Sequence, residues 1–240
     1  REPDHLRAFA HEYKQVFPAM GWTETETRTY LWGYYRLVEM VDREIGKVLD
    51  GLAEAGLEEN TVVVFSSDHG DGASRHRWNQ KFSLYDESAR VPFIVARKGM
   101  ARAGQKDDRL VSAGLDLLPT LCDYAGIPVP RSLLGRSVRD LTEDQVPREW
   151  RDYVVAETSF SMWANIGEDR WPKARMVRSD RYKYVAFDAG ENREQLIDMV
   201  RDPGEMENLV GSPDHEEELI QHRSYLDEWC EKTQDSFAEN

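Results

Sequence analysis

Asp68-His69-Gly70-Asp71-Gly72-Ala73-Ser74-Arg75-His76-Arg77-Trp78-Asn79-Gln80-Lys81 follows the apolar run Thr61-Val62-Val63-Val64-Phe65, with two serines between. A short run that is apolar throughout is the mark of a strand covered on both faces. Loops at the carboxyl ends of such strands are where open α/β sheets place ligands. This loop brings a carboxylate, two imidazoles and an ammonium to that position. The set offers oxygen and nitrogen donors to a cation and a fixed positive charge to an anion. It contains no obvious nucleophile.

Working outward, Thr23 and Glu26 have the three-residue spacing of a capping box. Apolar residues then recur at Leu31, Tyr34, Val38, Val41, Ile45, Val48 and Leu52. Steps of three and four put them on one helix face, and Gly56 supplies a C′ stop. Residues 61–66 read as the buried strand, and residues 91–95 as a second one with Pro92 at its start. Residues 116–124 read as a helix with Pro119 in its first turn, ended by Gly126. Helix, strand, loop, strand and helix in this order predict part of an α/β core with a parallel-rich sheet and flanking helices, over residues 1–147.

The texture changes after about residue 147. Residues 153–157 read as a strand, 175–179 and 182–187 as a hairpin around Asp180-Arg181, and 194–199 as another strand before Asp202-Pro203-Gly204. Ser212-Pro213 opens a final helix with acids in its first turn, packing through Leu219, Leu226 and Trp229 or Cys230. Residues 148–240 are therefore expected to be a small α+β subdomain, an antiparallel sheet with a terminal helix.

Composition narrows the function. The 240 residues are 40% hydrophobic and 32% charged, with a net charge of −14. That acidity argues against a nucleic-acid partner, which needs a basic surface. Apolar stretches are strand-sized, so no membrane span is expected. Cys122 and Cys230 are too few for a disulfide framework and read as packed thiols.

Each candidate has a plainer reading beside it. Asp68 and His69 are able to ligate a hard divalent cation, yet Asp-His-Gly is also an ordinary turn, with Gly70 supplying a positive φ. Lys81 suits a substrate oxyanion, and His76 a hydrogen bond to that anion or a proton for a leaving group; either is equally a solvated loop residue. Arg75, Arg77, Trp78, Asn79 and Gln80 suit a pocket for a polar or sugar-like group, or Trp78 packs the loop onto the core. Asp86, Glu87 and Arg90 read as a helix-turn salt bridge. Trp163, Arg170, Trp171, Lys173 and Arg175 form a looser aromatic and basic cluster, a substrate-facing loop or one packed by its own Trp residues.

Taken together these residues resemble the carboxyl-terminal part of the type I sulfatases, in the alkaline-phosphatase-like superfamily. Family members look like Asp-(His/Asn)-Gly, a His nine positions along, a Lys at fourteen, and then Tyr-x-Glu-x-x-Arg-Val-Pro. Asp68, His69, Gly70, His76, Lys81, Tyr85, Glu87, Arg90, Val91 and Pro92 fall at those places. The helix at Tyr34 to Gly46, Asp116-Leu117-Leu118-Pro119-Thr120-Leu121, and the segments Leu196-Ile197-Asp198 and Asp202 to Leu209 are similar in order. The resemblance implies a calcium or magnesium site with Asp68 and His69 among its ligands, and a sulfate contact from Lys81. His76, and the loop residues Arg77, Trp78 and Asn79, are then expected on the substrate side. Sugar sulfates are the substrates it implies, and a periplasmic or secreted location, any leader lying upstream.

The departure is the family's formylglycine nucleophile, made from Cys or Ser in (Cys/Ser)-x-(Pro/Ala)-x-Arg. Cys122-Asp123-Tyr124-Ala125 and Cys230-Glu231-Lys232-Thr233 do not fit it. The amino-terminal aspartates of the metal shell are also without counterparts. The expectation is that this chain is the carboxyl-terminal portion of a sulfatase, inactive alone, whose partner is the amino-terminal half of the same protein. A phosphodiesterase or phosphonate hydrolase of the superfamily, or an inactive binding or structural fragment, are the competing readings.

Overall fold

The computed structural model describes residues 1–4, 6–7, 19, 21–100, 103–143, 147, 149–159 and 172–239. They fall into two compact units, one of residues 22–68 and 91–150, the other of residues 1–21, 69–90 and 151–240. The architecture is mixed α/β, with helices and antiparallel sheets.

The first unit opens with helix α1 (Glu24–Glu54), and the predicted capping box is in place. Thr23 N–H donates to Glu26 Oε2 at 2.7 Å, and Glu26 N–H to Thr23 Oγ1 at 3.3 Å. Gly56, at φ +67°, ends it. The apolar stripe is only partly covered: no residue of α1 is fully buried, Leu31, Tyr34, Ile45 and Leu52 are half-buried, and Val38, Val41 and Val48 are exposed, as are Trp32, Tyr35 and Met40 beside them. No described helix is long and apolar enough to cross a membrane.

Strands β1 (Val63–Ser66) and β2 (Phe93–Ala96) pair antiparallel, Val63 opposite Ala96 and Ser66 opposite Phe93. Where the sequence pattern suggested a parallel-rich layer, this one pair runs antiparallel. Parallel neighbours need a crossover, usually a helix of several turns. The chain between these strands holds only a 3₁₀ turn and the single-turn helix α2 (Asp86–Ala89), so it returns in the opposite direction.

Helix α3 (Ala113–Tyr124) starts three residues earlier than expected, so Pro119 lies in its second turn. Buried Asp116 anchors the start, its Oδ2 accepting from Ser112 N–H at 2.8 Å, while its Oδ1 accepts from Arg136 N–H at 2.8 Å. Pro119 cannot donate to Leu115 O. Gly135 lies against that carbonyl, where a Cβ would be 1.9 Å away. Helix α4 (Arg139–Thr142) follows.

In the second unit, strands β3 (Tyr153–Ser159), β4 (Lys173–Ser179), β5 (Tyr182–Phe187) and β6 (Glu194–Asp198) form an antiparallel sheet in sequence order. Helix α5 (Glu216–Thr233), entered through a 3₁₀ turn at Pro213–His215, packs Leu219, Leu226 and Cys230 with Val177, Tyr184 and Leu196. The opposite face, carrying Met176, Val185 and Phe187, packs with Trp78, Leu84 and Tyr85 from the 69–90 segment. All of β5 is buried because both faces are covered, and alternation decides which residue meets which layer. Cys122 and Cys230 are both free thiols.

Candidate active-site loop

The loop that leaves β1 is fixed first by glycine. Gly70 N–H donates to Ser88 O at 2.8 Å, and a Cβ on Gly70 would lie 2.0 Å from Glu87 O. Its φ is not positive. The turn reading of Asp68-His69-Gly70 rested on a left-handed glycine; the residue is small here because another backbone passes against it. Beyond it, Ala73, Ser74, His76, Arg77, Gln80 and Phe82 all have positive φ between 47° and 86°. Left-handed backbone is strained for residues with a side chain and is held only where the surroundings dictate it.

Asp68 is exposed at the end of this run of strand and loop, its Oδ1 3.4 Å from the Ser67 hydroxyl. His69 is half-buried, with Nδ1 2.8 Å from Gly70 O. A carbonyl only accepts, so this contact puts the proton on Nδ1 and leaves the lone pair of the neutral ring on Nε2. Ligating histidines are held in one tautomer by the same kind of bond. A carboxylate oxygen and an imidazole nitrogen are donors of the kind that hard divalent cations accept.

His76 lies flat on Tyr85, ring centroids 3.8 Å apart and planes within 3°. Its Nε2 is 4.0 Å from Glu87 Oε2, a buried oxygen with no hydrogen-bond partner. Burial lowers the basicity of the imidazole, with Glu87 pulling the other way. His76, Glu87 and Glu205 bring ligand atoms within 4.8 Å of one another. They do not fit a cation. Glu205 Oε1 accepts from Lys183 Nζ at 2.7 Å and its Oε2 from Asp86 N–H at 2.7 Å, so an ammonium already holds the place. Burial raises the Glu205 carboxyl, and Lys183 opposes that.

His76 and Arg77 line one pocket of about 330 Å³, with Glu2, Gln195 and Asn208 on its walls. Lys81 is exposed. Trp78 and Asn79, expected to line a substrate pocket, are interior instead, each 1% exposed. Trp78 Nε1–H donates to Lys81 O at 3.0 Å, and Asn79 Oδ1 accepts from Ser74 N–H at 3.1 Å. Their polar groups are used inside the loop. Arg90 Nη1 lies 3.8 Å from Asp86 Oδ2, the helix-turn pair expected there. Of the looser cluster, Trp163, Arg170 and Trp171 fall outside the described residues; Arg175 is buried and forks onto Asp235.

Lys183 and Glu205 were not picked out from the sequence. The available signal was a lysine in phase with Val185 and Phe187 in Tyr182-Lys183-Tyr184-Val185-Ala186-Phe187, where an apolar inward residue is the rule.

Comparison with known proteins adds three findings. Residues 5–127 match the family model described as Sulfatase, and residues 74–232 the one described as N-sulphoglucosamine sulphohydrolase, C-terminal. A Delta 4,5-hexuronate-2-O-sulfatase of Bacteroides thetaiotaomicron is 35% identical over 237 residues, 98% of this chain and 48% of that protein. Among solved structures, a 2-O GAG sulfatase superposes with a TM-score of 0.88 at 34% identity, over 98% of this chain and 50% of that one. The phosphonate monoester hydrolase of Agrobacterium radiobacter gives 0.75 at 26% identity, over 89% and 43%. The chain thus spans about half the length of the relatives it matches.

Proposed function

Because this chain belongs to the sulfatase family, with its alkaline-phosphatase-like fold, we propose that it supplies part of the active site of a metal-dependent carbohydrate sulfatase. The observation that carries the reading is the run from Asp68 to Lys81, in register with Tyr85, Glu87 and Arg90-Val91-Pro92, in which the His69 ring is fixed through Nδ1. Asp68 and His69 would hold calcium or magnesium, which supplies a Lewis-acidic contact to a sulfate oxygen. Lys81, in solvent on the loop, offsets the charge on the remaining sulfate oxygens. His76 and Arg77, which share a pocket, take the sugar side of the ester. Trp78 and Asn79 shape the loop from within.

The formylglycine nucleophile and the other metal ligands belong, in this reading, to an amino-terminal half of the protein outside these 240 residues. The exposed apolar stripe of α1 is the surface assigned to it, together with Phe65 and Ile94, which are also exposed. Burial of such a stripe would contribute about 25 cal/mol per Å² of apolar area covered.

The test is expression of the natural protein with any segment that precedes Arg1 in its gene. Sulfate release is assayed from a 2-O-sulfated unsaturated hexuronate disaccharide and from 4-nitrophenyl sulfate, and release of the alcohol from a phosphonate monoester. Turnover of the sugar sulfate at the highest kcat/KM is expected. The phosphonate as best substrate would favour the second reading, which the likeness to the Agrobacterium hydrolase supports. The 240-residue chain by itself is expected to release no sulfate and to bind a hydrophobic dye along α1; turnover by the pure chain would refute the division of the site.

A further inference from the structure

Lys183 is 1% exposed, on the face of β5 that carries Val185 and Phe187. An ammonium taken so far from water persists only with partners for its protons. Those partners come from the active-site segment and from the turn after β6. Lys183 Nζ donates to Leu84 O at 3.2 Å, to Glu205 Oε1 at 2.7 Å and to the Asp86 carboxylate. Glu205 Oε2 accepts from Asp86 N–H at 2.7 Å. One ion pair thus grips the carbonyl before Tyr85 and the amide after it. Tyr85 is buried, and its ring is the platform on which His76 lies at 3.8 Å. The chemistry proposed above uses neither Lys183 nor Glu205.

We infer that Lys183 and Glu205 are positioning residues for the sulfate-ester site: they clamp the backbone on both sides of Tyr85 and, through its ring, set the place of His76 and the loop around it. A buried ion pair is weak evidence for a stabilising role, since an apolar pair of the same size often serves stability as well. Hydrogen bonds to two particular backbone groups are a different matter, because an apolar pair cannot replace them. The inference rests on the reading of the Asp68–Lys81 loop as part of that site.

The test compares Lys183→Met with the double variant Lys183→Met/Glu205→Met in the natural protein, expressed with any segment preceding Arg1. The single variant leaves Glu205 charged and unpaired in the interior and is expected to lose stability. The double variant leaves neither charge and is expected to stay folded in denaturant titration. In it, hydrogen exchange across residues 83–89 should quicken about tenfold, and the upfield ring-current shift of the His76 C–H protons should shrink. With 4-nitrophenyl sulfate as probe, kcat should fall about ten- to a hundredfold, with KM changed less than about threefold, as for other groups that orient a contacting residue. Wild-type exchange and a wild-type His76 shift in a folded double variant would overturn the clamp. Wild-type kcat alongside a loosened loop would overturn its part in the reaction. Failure of the unmutated protein to cleave any sulfate ester would sink the functional reading alone, since exchange and the His76 shift still decide the clamp.

Discussion

Replacing Gly70 by alanine puts a methyl group where the backbone of residue 87 already lies. The added carbon would be 2.0 Å from Glu87 O and 3.0 Å from Glu87 C, and neither is the free end of a flexible side chain. Close-packed interiors give little, so the two segments must part by about 1 Å or more. That movement breaks the 2.8 Å bond from Gly70 N–H to Ser88 O. Overpacking of this kind costs about 1–3 kcal/mol, and the lost hydrogen bond about 1 kcal/mol more. The sum is about 2–4 kcal/mol, which at a slope of about 2 kcal/mol per molar lowers the urea midpoint by about 1–2 M. Gly46 in α1 is the control: nothing lies within 4 Å of a Cβ there, so Gly46→Ala is expected to raise stability by about 0.5–1 kcal/mol. In the natural protein the shift also displaces adjacent His69, and a 1 Å misplacement costs about a hundredfold in turnover. Equal shifts of the same sign for both substitutions, or a Gly70→Ala midpoint indistinguishable from wild type, would show that the close approach is not what requires the glycine.

Lys81→Ala in the natural protein should cut kcat for a sugar sulfate by about a hundredfold, the usual loss for one preorganised contact to developing charge; an unchanged rate removes Lys81 from the site. His222 is buried, its Nδ1–H donating to Glu218 O at 2.7 Å and its Nε2 accepting from the Ser179 hydroxyl at 2.8 Å, and burial lowers its basicity. Below pH 6.5 the unfolded chain then binds the proton that the folded one refuses, so stability falls as pH falls through that value. His76 acts in the same direction. His222→Gln should flatten this decline between pH 7 and 5 in denaturant midpoints, and an unaltered slope would refute the assignment. Gln80, at φ +66°, should accept glycine with a gain of about 0.5–1 kcal/mol and resist valine with a larger loss, both read as shifts in melting temperature.

Much of the secondary structure was legible because local rules agree with one another. The Thr23/Glu26 box, the three-and-four apolar spacing and Gly56 all mark one helix, and α1 has those ends. The hairpin of β4 and β5 is legible in the same way. Strand direction was not, because it depends on what connects β1 to β2, and no local signal states that the connection lacks a crossover helix. The start of α3 was misplaced because proline rules favour the first turn, whereas Asp116 caps the backbone at Ser112 and Gly135 makes room at Leu115. The loop was harder still. Irregular backbone has no period, so the sequence does not say that Trp78 and Asn79 point inward while Arg77 and Lys81 point out.

The same irregularity explains why the loop needs the sheet beneath it. Six left-handed residues between 73 and 82 cost about 1 kcal/mol each relative to relaxed backbone. Local bonds offset part of it, among them Ala73 N–H to Asp71 Oδ1, Ser74 N–H to Asn79 Oδ1, Gly72 N–H to Gln80 O and Trp78 Nε1–H to Lys81 O. The loop is held further by burying Trp78, Leu84 and Tyr85 with Met176, Val185 and Phe187, and by the grip of Lys183 and Glu205 on residues 84 and 86. The geometry of the proposed site thus also depends on strands that contribute none of its proposed metal or sulfate contacts. Substitutions that loosen β5 and β6 should release the loop first, and their effect on turnover should exceed their effect on global stability.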